Sequence, residues 1–579
     1  MVRRVISLCL ATAIIVTLLA GCGGAQQAPA PAAGTGAGTA EAGTAEAGTA
    51  GGGERPPQTD EERWHGPFDE PVVVRMAAPI NAALVFPDGD SYAYNTWTRA
   101  WAEYLNIHVD LMWEATDADS AYETRLNLSI ASGDIPDIIN FPNFVQFENM
   151  RAARQLTDLQ FYFDNYAYPR LVQNMTADGG EALSWGHVDG MLLGLPHSPG
   201  INRTTARMLY IRRDWFEETG LPLPNTIEEF FTVARAMQDL DPDNRFAIGQ
   251  NSGLFSNNMA DMTGVANAFG FQPRAWDDDG MGGLVYGTLD DRMVYVLQIY
   301  ADLFAEGRID PAFTTLDGGM LGEQLTSNRI AAQISAVWLA GWPLATLWLT
   351  DQVDWIIMPV PPSATNPNPV LQQVAAPQGR LVSVRQGFEH PEALMKILNF
   401  SVAMIEDPDL NQVERFHPHH METPLYIKWY DPLTNFNTQI NLTNYIRNNR
   451  DESFLQSAHD WQVLPPFVEW FDAVEAGQVP SEGSWASWKT WYGDDSGYGV
   501  LNYYVDNNRI FVSRLIGYQT DTMLTSWATL IDLENTFLTE VVTGQRPVSD
   551  FHDFFVPTWL ALGGEQITRE VNEWWAGRQ

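Results

Sequence analysis

The sequence predicts an α/β fold made of two strand–helix units, and three observations carry that prediction. Strand-like and helix-like segments alternate from residue 72 to 139, the alternation restarts at residue 208, and a further strand–helix pair near 380–401 interrupts the second unit. Alternation of this kind gives a largely parallel sheet with helices on both faces. The 579 residues are 45% hydrophobic and 12% aromatic, enough to bury a large core and long enough for more than one.

Val72-Val73-Val74-Arg75-Met76-Ala77 reads as a buried strand, followed by the polar loop Pro87-Asp88-Gly89-Asp90-Ser91 and a helical stretch over 95–105. Ile107-His108-Val109-Asp110-Leu111 alternates as a strand, 122–132 is helical, and Asp137-Ile138-Ile139 is a strand again. The second unit opens with the strand Met208-Leu209-Tyr210-Ile211. In Thr226-Ile227-Glu228-Glu229 the Thr226 hydroxyl is placed to accept the Glu229 amide, and Phe230, Phe231, Ala234 and Met237 form the apolar stripe of the helix that follows. Met293, Val296, Leu297, Tyr300, Leu303 and Phe304 mark another helix, stopped by Gly307. Strands at 354–358 and 380–385 precede a helix over 391–401, with Pro391 in its first turn.

The formal charge of −39 excludes nucleic acid and anionic lipid as partners, because binding either needs basic clusters. Met1-Val2-Arg3-Arg4 followed by an apolar run over 5–20 reads as an export signal, too short for a membrane-spanning helix. Its end, Leu19-Ala20-Gly21-Cys22, resembles the lipobox of bacterial lipoproteins, which implies cleavage after residue 21 and lipidation of Cys22. Cys9 leaves with the signal, so the mature chain has one thiol and no internal disulfide. Residues 22–70, rich in Gly, Ala and Thr, read as a flexible tether that holds the body roughly 35 to 40 Å from the membrane.

Several stretches of the body carry a family likeness: 126–138 with Ser132-Gly133-Asp134-Ile135-Pro136-Asp137, Leu156-Thr157-Asp158-Leu159, 189–196, 210–221, 300–313, His390-Pro391-Glu392-Ala393, and the C-terminal 562–574. In that order they resemble the bacterial extracellular solute-binding proteins of family 1, in their long lipoprotein form. The resemblance implies a two-lobed, Venus-flytrap α/β fold with a ligand cleft between lobes. It places one lobe at 71–199 plus 358–405 and the other at 204–355 plus 412–579. It also implies a monomer that passes a solute, often an oligosaccharide, to the permease subunits of an ABC importer at the outer face of the cell membrane. The lipid anchor is then the only contact with the membrane, and no cofactor or nucleic acid is involved.

A receptor of this kind needs aromatic faces for sugar C–H patches and planar amides or carboxylates for paired hydroxyls. In α/β sheets these belong on loops beyond the carboxyl ends of strands. The candidates there are Tyr92, Asn140 and Phe141, with His197 and Asn202 at the first crossover. The resemblance adds Trp338 and Trp342 as the leading pair, and Thr520 and Thr522 on a polar loop. Ser484-Trp485-Ala486-Ser487-Trp488-Lys489-Thr490-Trp491 reads equally as a packed loop or as a stacking platform, with Trp488, Trp491 and Asp494 as its contacts.

No metal is expected. Some relatives carry a calcium loop where Asp241-Pro242-Asp243-Asn244-Arg245 stands, but Arg245 and Ser252 occupy places that need oxygen ligands or a Glu. His417-Pro418-His419-His420 lacks a carboxylate or thiol partner. The rival function is a secreted glycoside hydrolase, which would need a spaced carboxylate pair. The run Asp277-Asp278-Asp279 is simpler as a tight turn at Gly280.

Overall fold

The computed structural model describes residues 59–80, 86–116, 121–177, 179–196, 205–255, 259–372, 380–406, 423–425, 431, 433–515 and 519–577. The signal sequence and Cys22 lie outside the described residues, as does the tether up to residue 58. The last part of the expected tether is ordered. Thr59 caps the helix Asp60–His65 through a reciprocal capping box with Glu62. The chain then runs beside the body, with the Phe68 amide on the Leu105 carbonyl at 3.0 Å.

Two sheets organise the rest. In the first, strands Val72–Ile80 and Ile107–Thr116 are parallel, with Val72 opposite Ile107 and Ile80 opposite Thr116. The Asp137 amide bonds the Arg75 carbonyl at 2.9 Å. This brings Ile138–Asn140 alongside, itself paired antiparallel with Leu381–Val384, which in turn pairs with Leu195–Pro196. The second sheet has the order Trp355–Pro359, Met208–Arg212, Ile330–Ser335, Phe246–Ile248. Its strands at 208–212, 330–335 and 246–248 are buried almost throughout, as strands covered on both faces are.

The sheets are mixed rather than parallel, and the chain's route gives the reason. A strand entered from the other unit starts at the shared end of its sheet and runs away from it, opposite to the strands that arrive there. Met208–Arg212 therefore runs antiparallel to both Ile330–Ser335 and Trp355–Pro359. Leu381–Val384 likewise runs against Ile138–Asn140.

Each sheet has its own core. One side packs residues from Val72 to Leu195 with Leu381 to Leu425 in two adjoining clusters. The other packs Ala206 to Leu371 with Phe436 to Val571. Val360 and Leu371 belong to the second core, and Leu371 pairs in register with Ile510, so the chain returns to the first core later than residue 358. Leu425, expected with the second lobe, packs in the first.

Individual helices follow from the sequence. Thr226 caps Ile227–Asp239 by accepting the Glu229 amide at 3.2 Å, and Phe230, Phe231, Ala234 and Met237 are buried. The Asp277-Asp278-Asp279 run is a hairpin turn: the Asp278 carboxylate accepts the Gly280 amide at 2.7 Å, and Gly280 takes a φ of +75°.

Candidate functional site

The strand registers define the end of each sheet where the crossovers meet. Met208 lies opposite both Ser335 and Pro359, so Arg207, the turn after Ser335 and Val360 share one end of the second sheet. Gly249 follows Ile248 at that same end, since Ile248 pairs parallel with Ala332. In the first sheet Asn140 lies opposite Val382 and Pro196 opposite Leu381, so Asn140, Phe141 and the exit from Pro196 share an end. The chain leaves the first of these ends at Pro196 and enters the second at Thr205, and such strand ends are where α/β sheets bind ligands.

The second sheet's end presents aromatic surface. The turn Val337–Ala340 follows strand Ile330–Ser335 directly. The Tyr210 hydroxyl donates to the Ala336 and Val337 carbonyls at 2.9 and 3.2 Å, fixing the turn from beneath. Gly497 lets Val337 pack closely, since a Cβ there would meet Val337 Cγ2 at 2.6 Å. On this base Trp338 and Trp342 stand 39% and 49% exposed. The Trp342 ring rests on Gly322 of helix Gly318–Thr326, where a Cβ would come within 2.6 Å of it. An exposed indole held in place keeps an open face for the apolar side of a sugar ring.

Beside this turn lies a buried ion pair that the sequence did not reveal. Arg207 reaches Asp261 with Nη2 at 2.6 Å and Nε at 3.3 Å, and its Nη1 donates to the Thr205 carbonyl at 2.6 Å. Both side chains are fully buried. Asp261 also accepts the Thr263 amide at 3.0 Å, so the carboxylate is enclosed by donors. The pair pins the point where the chain enters the second lobe. Its members are 54 residues apart, and no local pattern marks either.

The first sheet's end is built differently. Phe141 is fully buried in the aromatic core with Phe147, at 5.7 Å between ring centres. Asn140 is buried, and its Nδ2 donates to the Leu425 carbonyl at 2.8 Å, while Oδ1 meets no donor among the described residues. Tyr92 is buried edge-on against Phe86. Phe141 and Tyr92 thus form the floor of their lobe rather than a ligand surface. His197 and Asn202 lie outside the described residues.

The tryptophan-rich stretch is neither a loop nor a platform but the helix Glu482–Trp491. Trp488 stacks on Trp470 at 4.3 Å with an interplanar angle of 7°, and Lys489 Nζ lies 4.4 Å from its ring centre. Trp491 is buried and stacks on Tyr498 at 4.5 Å. With these faces taken, the rings cement helices to one another, and Asp494 is an exposed residue beyond the helix end. Thr520 is buried as the cap of helix Asp521–Val542, accepting the Met523 amide. Thr522 donates to Glu570 at 2.6 Å. Burial raises the Glu570 pKa, but the hydroxyls of Thr520 and Thr522 and the Gln566 amide outweigh it and hold the group at about 2. Both threonines therefore serve a helix junction.

Among the described residues no three His, Cys, Asp or Glu side chains converge as metal ligands. The Arg245 guanidinium lies 3.8 Å from the Trp215 ring centre, a packing role for the loop at 241–245. His417, His419 and His420 lie outside the described residues. No described helix is long and apolar enough to cross a membrane.

The sequence profile of the bacterial extracellular solute-binding proteins matches residues 88–403, more than half the chain, and the chain belongs to that family. Lipoprotein LipO of Bacillus subtilis (strain 168) is 21% identical over 301 residues, covering 50% of this chain and 56% of LipO. The matched part thus spans only about half of that relative. Among solved structures, the alginate-binding protein AlgQ2 superposes with a TM-score of 0.59 at 14% identity, covering 88% of this chain and 99% of AlgQ2. An ABC-transporter-associated solute-binding protein of Bifidobacterium longum infantis ATCC 15697, described as binding HMO, gives 0.59 at 16% identity, covering 87% and 98%. The fold is the two-lobed periplasmic-binding-protein type, α/β in class.

Proposed function

We propose that this protein is a membrane-anchored receptor that captures an oligosaccharide between its lobes and delivers it unaltered to the permease of an ABC importer. The observation that carries this reading is the exposed pair Trp338 and Trp342 at the end of the second sheet where the chain crosses between cores. Closure brings the opposite sheet end toward this pair, so ligand contact energy favours the closed form. One lobe carries residues 72–196 with 381–425, and the other 206–371 with 436–571. The names of the alginate- and HMO-binding neighbours support a saccharide ligand. Cys22 carries the lipid, and the receptor works as a monomer at the outer face of the membrane.

The hydrolase reading finds little support in the carboxylates. Burial raises the pKa of Glu534, the change a general acid needs, but that side chain is fully enclosed and bonded to Arg274 at 2.6 Å. The deciding experiment incubates the protein with neutral and acidic oligosaccharides and reads both melting temperature and products. A rise in melting temperature with intact sugar is expected. Shortened sugar would overturn the receptor reading.

A further inference from the structure

Lys396, on helix Glu392–Glu406, is 3% exposed, yet among the described residues it meets no carboxylate at ion-pair distance. Its ammonium donates instead to three carbonyls of one short segment: Glu62 at 3.1 Å, Arg63 at 3.1 Å and Gly66 at 2.6 Å. The Glu62 carbonyl also accepts the Gly66 amide at 3.1 Å, whereas the Arg63 and Gly66 carbonyls lie at and just beyond the end of helix Asp60–His65, where no further turn supplies donors. Three ammonium protons meet three acceptors, and the positive charge sits at the negative end of the helix.

The surrounding contacts repeat the pattern. Asn399, one turn along the same helix, donates to the Trp64 carbonyl at 3.0 Å. Trp64 packs edge-on against Tyr168 at 5.5 Å. Phe68 lies under Lys396 and edge-on to His390 at 5.4 Å, and its carbonyl accepts from Asn106 Nδ2 at 3.0 Å. Tyr168, His390, Lys396, Asn399 and Asn106 all lie on elements that build the first core. A six-residue helix does not persist alone in water, so the body holds it in shape.

We propose that residues 59–68 are a mooring clasp that fixes the end of the tether to the first lobe. That lobe is then the half that bears the tether's end, and the second lobe is the half that moves relative to that end on closure. The swing rests on the hinged-receptor reading above, whereas the clasp does not.

Hydrogen exchange on the full chain tests the clasp, comparing the wild type with Lys396→Met and with Trp64→Ala, whose half-buried ring lies outside the body's core. In the wild type, amides of 59–68 are expected to exchange at least about tenfold more slowly than an unstructured peptide. Either variant should lose most of that protection while strands 208–212 and 330–335 keep theirs. An unprotected wild-type segment, or protection unmoved by both variants, overturns the clasp. The swing is read by spin-label distances in a Cys9→Ser, Cys22→Ser background. Glu61→Cys with Glu103→Cys should give a narrow distribution and Glu61→Cys with Glu323→Cys a broad one. Two equally broad distributions overturn the mooring. A narrow distribution for both overturns the hinged reading, with the clasp then judged by exchange alone.

Discussion

The two sheet ends that face the crossover are made of similar residue types and differ sharply in what they leave exposed. In the first lobe Tyr92 and Phe141 are buried at 3% and 0% exposure, whereas Trp338 and Trp342 in the second stand 39% and 49% exposed. The difference lies in what sits beneath each ring. Phe141 follows its strand without a break and enters a cluster with Phe144 and Phe147. Trp338 and Trp342 ride on a turn braced by Tyr210 and cushioned by Gly497 and Gly322, so their rings are lifted out of the core. Aromatic content alone does not make a binding surface; a rigid support that leaves a face uncovered does.

Mutations at the two ends should separate stability from affinity. The largest effect is expected for Phe141→Ala, which removes a fully buried ring at a cost of about 3–5 kcal/mol and lowers the melting temperature by roughly 10 °C. Calorimetry checks this, and a loss of affinity without loss of stability would break the comparison. Trp338→Ala and Trp342→Ala should each weaken oligosaccharide binding by about 2 kcal/mol, roughly 30-fold, with melting of the free protein almost unchanged. Titration calorimetry decides, and unchanged affinity in both variants would remove the pair from the site. Gly322→Ala forces the Trp342 ring to move and should weaken binding by a smaller factor, about 3- to 10-fold.

The smallest effects separate the lobes by pH. In the second lobe Glu570 titrates at about 2 in the folded protein against an ordinary 4.5. Its lowered pKa contributes stability above about pH 4.5 that is lost as pH falls toward 2. In the first lobe burial pushes Lys396 down to about 8 from 10.5, a shift that nearby Glu392 opposes. Glu62, Arg63 and His390 are the other titratable residues around it. Melting curves followed from pH 6 down to pH 3 check the Glu570 contribution.

Much of the fold was legible because it rests on local pattern. The Thr226 cap, the stripe Phe230, Phe231, Ala234 and Met237, and the core strands at 72, 107, 138 and 208 follow from periodicity and capping chemistry. The candidate site was legible only in part. Trp338 and Trp342 were proposed from their place in a resembling stretch, and the structure leaves them exposed. Trp488 and Trp491 looked equally suitable in sequence but have their faces covered by Trp470, Lys489 and Tyr498, partners up to 18 residues away that no spacing rule selects. Thr520 and Thr522 face Glu570 across 48 residues or more, and Arg207 finds Asp261 across 54. The order at 59–68 was missed because that segment is too short and polar to hold itself, and the groups that hold it lie on the helix at 392–406.

The sequence by itself determined the alternation of strands and helices, the two cores and the acidic surface, since each depends on residue type and spacing along the chain. Only the tertiary structure decided the mixed strand directions, which tryptophans keep an open face, and the clasp beside Lys396. Those depend on which groups meet across long separations, and desolvation and contact at such meetings, rather than any local preference, set what each side chain can do.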